Sequence, residues 1–183
     1  MGRMETTKRL STMLERHLNP HRDPRIYIAR EVTFDYGTEH QIRVDYMRFK
    51  PVNNTVSGIE KGDVYCYEIK SSVEDFRSKH GHNFIGDYNY YVMPHEVYLA
   101  IQKEIPHFVG VYCPIGDTEF LTCMTAPKRR DRSRPVSEVL LMMFRSAARE
   151  NLKEDRKNER KKEVDRGREA AQRPGPAVRD GDE

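Results

Sequence analysis

Acidic and basic side chains that can handle a phosphate ester lie at the end of one predicted strand. Glu68 and Lys70 lie in YEIK, two positions apart, and Asp45 lies in RVDYM on the preceding predicted strand. Residues i and i+2 of a strand project from the same face, so Glu68 and Lys70 point one way and Ile69 points the other. A carboxylate from the neighbouring strand end can meet Glu68 at the separation that a divalent ion bridges.

This set of side chains is suited to hydrolysis at phosphorus. Mg²⁺ takes oxygen ligands and usually keeps several waters, so two carboxylates and a substrate phosphate can hold it. A lysine beside the ion can orient or deprotonate the attacking water and stabilise charge on the phosphate. The alternative is a solvent-facing ion pair between strands. The apolar neighbours Val64, Cys66 and Ile69 favour a site, because unpaired charges on a central strand are costly.

The elements that position these residues alternate in the order α-β-β-β-α-β-α-β-β-α. Periodicity predicts helices over 5–18, from Ser71, around 95–104 and over 136–150, and strands over 26–35, 41–49, 63–70, 87–93, 108–113 and 118–124. Ile42, Val44 and Tyr46 are predicted to share one strand face, and residues 51–62 are predicted to form a loop. Adjacent early strands predict a meander and the later crossovers at least one parallel pair, so the fold class is α/β.

A predicted helix begins directly after the Glu68–Lys70 strand. Ser71 and Glu74 stand at the spacing of a capping box. The helix N-terminus would supply partial positive charge and free N–H groups, so Ser71 and Ser72 are candidate contacts for a DNA phosphate.

A basic segment follows the last predicted strand. It holds five basic residues in seven positions, namely Lys128, Arg129, Arg130, Arg132 and Arg134. Such a patch can bind DNA through its phosphates. A solvated loop of the same composition is common, and the sequence leaves both interpretations open.

Net charge and hydropathy exclude several classes of protein. The chain has 183 residues and a net charge of only +3, which argues against a simple polycation that binds nucleic acid. No apolar run approaches the ~20 residues that span a bilayer. The N-terminus has no apolar stretch of signal-peptide length, so we expect a cytoplasmic protein with no membrane partner.

The last 33 residues are predicted to form a charged tail, 151–183, behind a domain over 1–150. The tail carries 10 basic and 9 acidic side chains, and past Leu152 its aliphatic residues larger than alanine are Val164 and Val178. It cannot bury enough apolar area to offset the entropy of ordering, so we expect a solvated helix over 151–172 and disorder over 173–183. The helix over 136–150 is apolar on more than one face and allows contact with a second copy.

The order and spacing of these motifs over roughly residues 25–125 resemble the PD-(D/E)XK nuclease superfamily, and in detail its MmcB-like DNA repair protein family. The resembling stretches are REVTFDYGTEHQIRVDYMRF, YEIKSSVEDFRSKHG, DYNYYVMP and IPHFVGVYCP. In that family a strand glutamate precedes an R-x-D strand, and here these are Glu31 and Arg43-Val44-Asp45. The E-x-K-x-S segment of the family corresponds to Glu68-Ile69-Lys70-Ser71-Ser72, and the Asp-Phe pair of the next helix corresponds to Asp75-Phe76. The aromatic strand that ends in proline corresponds to Tyr90-Tyr91-Val92-Met93-Pro94. His80 and His82 depart from that pattern.

The resemblance implies a restriction-endonuclease-like fold. Its αβββαβ core would cover residues 5–93, with a mixed central sheet flanked by helices and a C-terminal helical tail. It implies that Asp45 and Glu68 bind Mg²⁺ or Mn²⁺, and that Lys70 orients water or stabilises charge.

Three further residues receive roles from the same resemblance. Glu31 would be a supporting acid that binds metal directly or through water, or else a surface glutamate. Glu15, on the first helix, is the rival fourth acid, or else part of a solvated helix face. Lys79 can reach a phosphate from the helix after the E-x-K segment.

The resulting expectation is a metal-dependent nuclease that hydrolyses DNA phosphodiester bonds in DNA repair, recombination or phage DNA metabolism. Many members of the superfamily act as dimers, so a homodimer is compatible with this expectation. Two alternatives belong to other classes. One is a nuclease-fold DNA-binding module without catalytic turnover, and the other is an interaction protein that uses its charged tail.

Overall fold

Six strands form one sheet, and helices pack on both of its faces. The computed structural model describes residues 2–78, 80–116 and 118–171. The strands are β1 (Tyr27–Phe34), β2 (Ile42–Lys50), β3 (Asp63–Ile69), β4 (Tyr88–Val92), β5 (Gly110–Pro114) and β6 (Leu121–Thr125). The helices are α1 (Arg3–Leu18), α2 (Val56–Glu60), α3 (Val73–Arg77), α4 (His95–Ile101) and α5 (Val136–Ala171).

The strands lie in the sheet in chain order, β1 to β6. β1, β2 and β3 form an antiparallel meander, β3, β4 and β5 run parallel, and β6 returns antiparallel to β5. The predicted meander and parallel pairing are therefore confirmed. The chain is an α/β protein with a mixed six-stranded sheet flanked by helices and followed by a C-terminal helix.

Alternate residues of β3 separate the two faces of the sheet. Val64 and Cys66 pack on one face, in a cluster with the first turns of α5. Tyr67 and Ile69 pack on the other face, against the apolar stripe of α1. That stripe consists of Leu10, Met13, Leu14 and Leu18, which are all buried as their helical spacing predicts.

The alternation of β2 changes phase in the middle of the strand. The prediction that Ile42, Val44 and Tyr46 share one face is therefore wrong. Ile42 and Val44 pack on the α5 face together with Met47, whereas Tyr46 packs on the α1 face. The partner strand β1 contains Glu31, whose φ is 49°. Such a left-handed residue is uncommon outside glycine and interrupts the regular pleat, which period-two counting cannot anticipate.

Two local predictions are also corrected. The predicted loop over 51–62 contains the short helix α2, which Thr55 caps by accepting a hydrogen bond from the Gly58 N–H at 3.1 Å. The cap of α3 is Ser72 rather than Ser71, because the Ser72 hydroxyl accepts the Asp75 N–H at 3.1 Å. The capping pattern is thus displaced by one residue from the predicted Ser71–Glu74 pair.

The chain divides into a unit that ends at Ala147 and a second that begins at Ala148. Over residues 136–164, the buried residues of α5 are Val136, Val139, Met143 and Ser146. Every side chain from 151 to 164 is exposed, as the composition of the predicted solvated helix requires. The predicted disorder over 173–183 falls outside the described residues. Within the described ranges, no helix is both long and apolar enough to cross a membrane.

Candidate active site

A cavity of about 830 Å³ opens at the C-terminal end of β3, and Asp45, Glu68 and Lys70 all line it. The β2–β3 register pairs Tyr46 with Tyr67, so the next antiparallel step sets Asp45 opposite Glu68. The structure therefore brings together the three residues that the sequence singled out.

Backbone hydrogen bonds fix two of these residues at the strand end. Asp45 Oδ2 accepts the Ile69 N–H at 2.9 Å, which ties the carboxylate of β2 to the last residue of β3. The Lys70 N–H donates to the Val92 carbonyl oxygen at 2.9 Å, which extends the β3–β4 pairing by one residue. Lys70 thus leaves the sheet in a defined direction.

The ionisable groups of the cavity are buried. Glu68 is only 5% exposed and Lys70 only 3%. Burial and the negative charge of Asp45 raise the pKa of Glu68 to about 8. Burial also raises the pKa of Asp45 and lowers the pKa of Lys70, although the nearby Glu68 charge opposes the lowering. Perturbed groups that converge on one cavity are typical of functional sites.

The segment 80–83 covers Glu68 and Lys70. Lys70 Nζ donates to the His80 carbonyl oxygen at 2.5 Å. Asn83 Nδ2 donates to Glu68 Oε1 at 3.3 Å and to the Arg43 carbonyl oxygen at 2.8 Å. This segment therefore holds both catalytic candidates in place.

His82 anchors that segment from its other side. Its Nδ1 lies 2.5 Å from the Tyr91 hydroxyl, and its Nε2 lies 2.8 Å from the Phe76 carbonyl oxygen. The ring packs edge-on against Phe76 and Tyr91. Both ring nitrogens are engaged in the fold, so His82 has a structural role here.

The two candidate supporting acids lie in different places. Glu31 is close enough to Asp45 for its negative charge to raise the pKa of that carboxyl, and it faces Arg43 at 3.9 Å. Glu15 accepts the Tyr46 hydroxyl at 2.6 Å and has no such effect on Asp45, and neither acid is among the residues that line the cavity. The structure therefore favours Glu31 over Glu15 as the acid that supports the site.

Ser71 and Ser72, which were predicted to contact a phosphate, make hydrogen bonds within the fold instead. The Ser71 N–H and hydroxyl both donate to Asp75 Oδ2, at 2.9 Å and 3.0 Å, and Ser72 caps α3. Asp75 also accepts Arg3 at 2.8 Å. Lys79, the third predicted contact, lies outside the described residues.

Carboxylates of the domain bind the arginines of the basic segment 128–134. Arg132 contacts the buried Asp87 at 2.9 Å, and Arg129 contacts the same carboxylate at 3.4 Å. Arg134 pairs with Asp35 and Glu138. For these three arginines, the structure favours a role in the fold over the predicted DNA clamp.

The location of the basic segment also favours a role in the fold. Asp63 and Asp87, which bind it, lie at or just before the first residues of β3 and β4, whereas Glu68 lies near the end of β3. Five residues of strand separate Asp63 from Glu68 by about 17 Å. Lys128 and Arg130 are exposed at that far end, so the segment is not part of the cavity.

Several residues of the cavity were not assigned a role from the sequence. Arg3 and Thr7 come from α1, and Arg43 and Asn83 come from β2 and the 80–83 segment. Arg43 could have been found, since it stands two positions before Asp45 on the same strand. The others are far away in sequence and are brought to the site only by tertiary packing.

The donor set suits a hard cation bound by few protein ligands. No group of three or more His, Cys, Asp or Glu side chains is arranged for a metal ion within the described ranges. Asp45 and Glu68 provide two carboxylates that repel each other, and a divalent cation between them would relieve that repulsion. Mg²⁺ tolerates such a set because it usually keeps several waters.

No family model and no curated protein matches this sequence. The chain is similar in structure to the SPO1766 protein of unknown function from Silicibacter pomeroyi, with a TM-score of 0.58 and 22% sequence identity. The similarity covers 84% of this chain and 93% of that chain. It bears on the fold alone.

Proposed function

We propose that this protein is a Mg²⁺-dependent nuclease that hydrolyses DNA phosphodiester bonds on a restriction-endonuclease-like core. The observation that carries the proposal is the burial of Glu68 and Lys70 opposite Asp45 in one cavity at a strand end. A structural ion pair would not need two mutually repelling carboxylates in that place, because burying them costs free energy unless a cation or proton neutralises them.

Each residue then has a defined task. Asp45 and Glu68 would hold the ion, which would supply Lewis-acid stabilisation of the phosphate and a more acidic water. Lys70 orients the attacking water and neutralises charge on the phosphate oxygens. The water oxygen would bond to phosphorus and lose a proton to bulk water, while the P–O bond to the leaving nucleotide breaks and the leaving oxygen takes up a proton from bulk water.

The rim of the cavity supports a polyanionic substrate. Arg43 is 58% exposed and Arg3 is 69% exposed, and both line the opening. Arginines in such positions contact backbone phosphates and fix the register of DNA without reading its sequence. DNA is therefore the substrate class that we propose.

The test uses the purified full chain with linear, circular and single-stranded DNA, in Mg²⁺ or in Mn²⁺. Asp45→Asn and Lys70→Met should each reduce cleavage by about 100-fold or more, because each removes a group that acts on the reacting phosphate. Asp63→Asn is the matched control, since Asp63 lies on the same strand as Glu68 at its opposite end. This variant should cut like the wild type.

Two results would overturn the proposal. Cleavage that persists in Asp45→Asn and Lys70→Met would mean that the activity comes from elsewhere. DNA binding without cutting in either metal would instead identify a DNA-binding module without turnover.

A further inference from the structure

A second cavity, of about 350 Å³, lies on the α1 face of the sheet, away from Glu68 and Lys70. Its floor is a set of tyrosines from β3, β4 and β5. Tyr67 stacks on Tyr90, and Tyr90 stacks on Tyr112, with ring centroids 4.9 Å and 5.1 Å apart. The C-terminal end of α1 and the residues that follow it form the wall.

Arg48 is the central cation of this cavity. Its guanidinium carbon lies 5.0 Å from the centre of the Tyr65 ring, which is within the range of a cation–π contact. In the part of the chain that the structure describes, Arg48 Nε is the buried side-chain nitrogen or oxygen without a hydrogen-bond partner. The guanidinium has a side-chain hydrogen bond with Tyr67, but leaving one donor of a charged group unsatisfied is costly, so the site has capacity for a further acceptor.

The charges around the cavity sum to a positive value. Lys50 follows two positions after Arg48 and also lines the cavity. Asp23, the carboxylate in the lining, is already bound by Arg25 through both of its oxygens. Asp63 faces Lys50 across the β2–β3 ladder, and Arg129 pairs with it at 3.4 Å.

Tyrosine hydroxyls and the His17 ring contribute further polar groups to the lining. Burial raises the pKa of Tyr65 and of Tyr112, so their hydroxyls stay protonated. Burial and the charge of Arg48 lower the pKa of His17, so its ring is neutral at neutral pH. An anion in this place would meet one guanidinium, one ammonium and several hydroxyl donors.

We propose that this cavity binds a phosphate group, either as free phosphate or as the phosphate of a mononucleotide, with Arg48 as the central donor. A tetrahedral oxyanion has several oxygens and can therefore accept from donors on different sides of the cavity, which a carboxylate does less well. The proposal does not depend on the nuclease activity, because the cavity shares no residue with the site around Glu68.

The experiment is calorimetric titration of the full-length protein with inorganic phosphate and with a deoxynucleoside 5′-monophosphate. Acetate at equal ionic strength is the reference. Phosphate should bind once per chain, and Arg48→Met should weaken binding by about 10-fold or more, because a charge-assisted hydrogen bond is lost. Arg9→Met, which removes an exposed arginine of α1, should bind phosphate like the wild type.

The two ligands separate the sources of the phosphate. Tighter binding of the mononucleotide would assign the site to a nucleotide, and equal binding would assign it to phosphate itself. Equal affinity of wild type and Arg48→Met, or equal heats from acetate and phosphate, would overturn the proposal. If Arg48→Met does not fold, Arg48→Lys replaces it in the titration and should also bind phosphate more weakly than the wild type. Phosphate should in addition shift the NMR signals of the Tyr65 ring in the wild type, and unchanged signals would overturn the proposal.

Discussion

A carboxylate buried beside another carboxylate must be neutralised by a proton or by a cation, and Glu68 stands in this position. Its pKa of about 8 means that the metal-free folded protein holds a proton on Glu68 at neutral pH. A divalent ion must displace that proton. Metal affinity at this cavity should therefore rise with pH until Glu68 is fully ionised.

The same shift makes stability depend on pH in a defined direction. Glu68 has an ordinary pKa of 4.5 and a pKa of about 8 in the fold, so between these values the folded state binds a proton that the unfolded state has released. The contribution of Glu68 to stability is therefore greatest below the lower value and falls as pH rises, by at most about 1.4 kcal/mol per pH unit. Glu68→Gln should lack this fall, as urea unfolding of both proteins without metal at several pH values would show.

Asp45 titrates in both proteins and serves as the internal reference for that comparison. Parallel stability curves for wild type and Glu68→Gln would contradict the raised pKa. Added Mg²⁺ should stabilise the wild type more above the pKa of Glu68 than below it, and should stabilise Glu68→Gln less at every pH.

The site was predictable to the extent that it depends on strand periodicity. Glu68 and Lys70 share a face because a strand repeats every two residues, and Asp45 joins them through the register of the neighbouring strand. Asn83 and Arg3 were not predictable, since no local rule brings the 80–83 segment or the start of α1 to the end of β3. The sequence also offered no means to see that Arg132 binds Asp87.

At the scale of elements, the 80–83 segment packs directly against Glu68 and Lys70. Gly81 has a φ of 69°, and a Cβ there would lie 2.8 Å from both Glu68 Oε2 and Lys70 Nζ. Gly81→Ala should therefore displace the segment and lower cleavage by about tenfold or more, because misplaced reacting groups cost rate. Cleavage rate and unfolding free energy should be measured together.

Gly37→Ala is the matched control for that substitution. Gly37 has a φ of 80°, and nothing lies within 4 Å of its added Cβ. Both variants should lose about 1–2 kcal/mol of stability from the left-handed conformation alone. A Gly81→Ala protein that cleaves like Gly37→Ala would show that the segment does not position the site.

The basic segment 128–134 binds carboxylates at the end of the sheet opposite Glu68. Arg132 bridges the buried Asp87 and the carbonyl oxygens of Gly62 and Glu60, at 2.7–2.9 Å. Arg132→Met should cost about 3 kcal/mol of unfolding free energy, because it leaves a buried carboxylate short of a partner. Thermal or urea unfolding would measure this loss.

Arg129→Met tests the same carboxylate from an exposed position. The Arg129 side chain is 53% exposed and its contacts are 3.4 Å long, so its loss should cost less than about 1 kcal/mol. Equal losses in the two variants would mean that burial of Arg132 adds nothing. A marked drop in DNA affinity for Arg129→Met would restore the predicted clamp.

Most elements were predicted within a few residues because their hydrophobic periods are regular. The stripe of α1 and the alternation of β3 are examples in which one face is buried and the spacing alone determines which residues form it. The phase change between Val44 and Tyr46 depends on a backbone conformation at Glu31 in another strand. The helix α2 is a single turn within a stretch rich in turn residues, where local propensity has little influence.

For the whole molecule, a net charge of +3 conceals three separate groups of charge. Arginines face the carboxylates at one end of β3, the basic segment neutralises Asp87 at the other end, and the residues after 150 carry both signs in nearly equal number. The first group lies at the candidate active site. Salt dependence of DNA binding should therefore reflect few phosphate contacts rather than the total of basic residues.

The last group allows a direct test of where the folding unit ends. Over residues 136–164 of α5, the buried side chains lie between Val136 and Ser146, and side chains from 151 to 164 are exposed. A chain that ends at Asn151 should keep its unfolding free energy within about 0.5 kcal/mol of the full chain, since exposed residues contribute little. It should also keep its cleavage rate.

A chain that ends at Pro135 is the control, because it loses the apolar turns of α5 that cover Val44 and Phe34, and it should not fold. Loss of folding in the longer truncation would instead mean that the charged tail stabilises the domain.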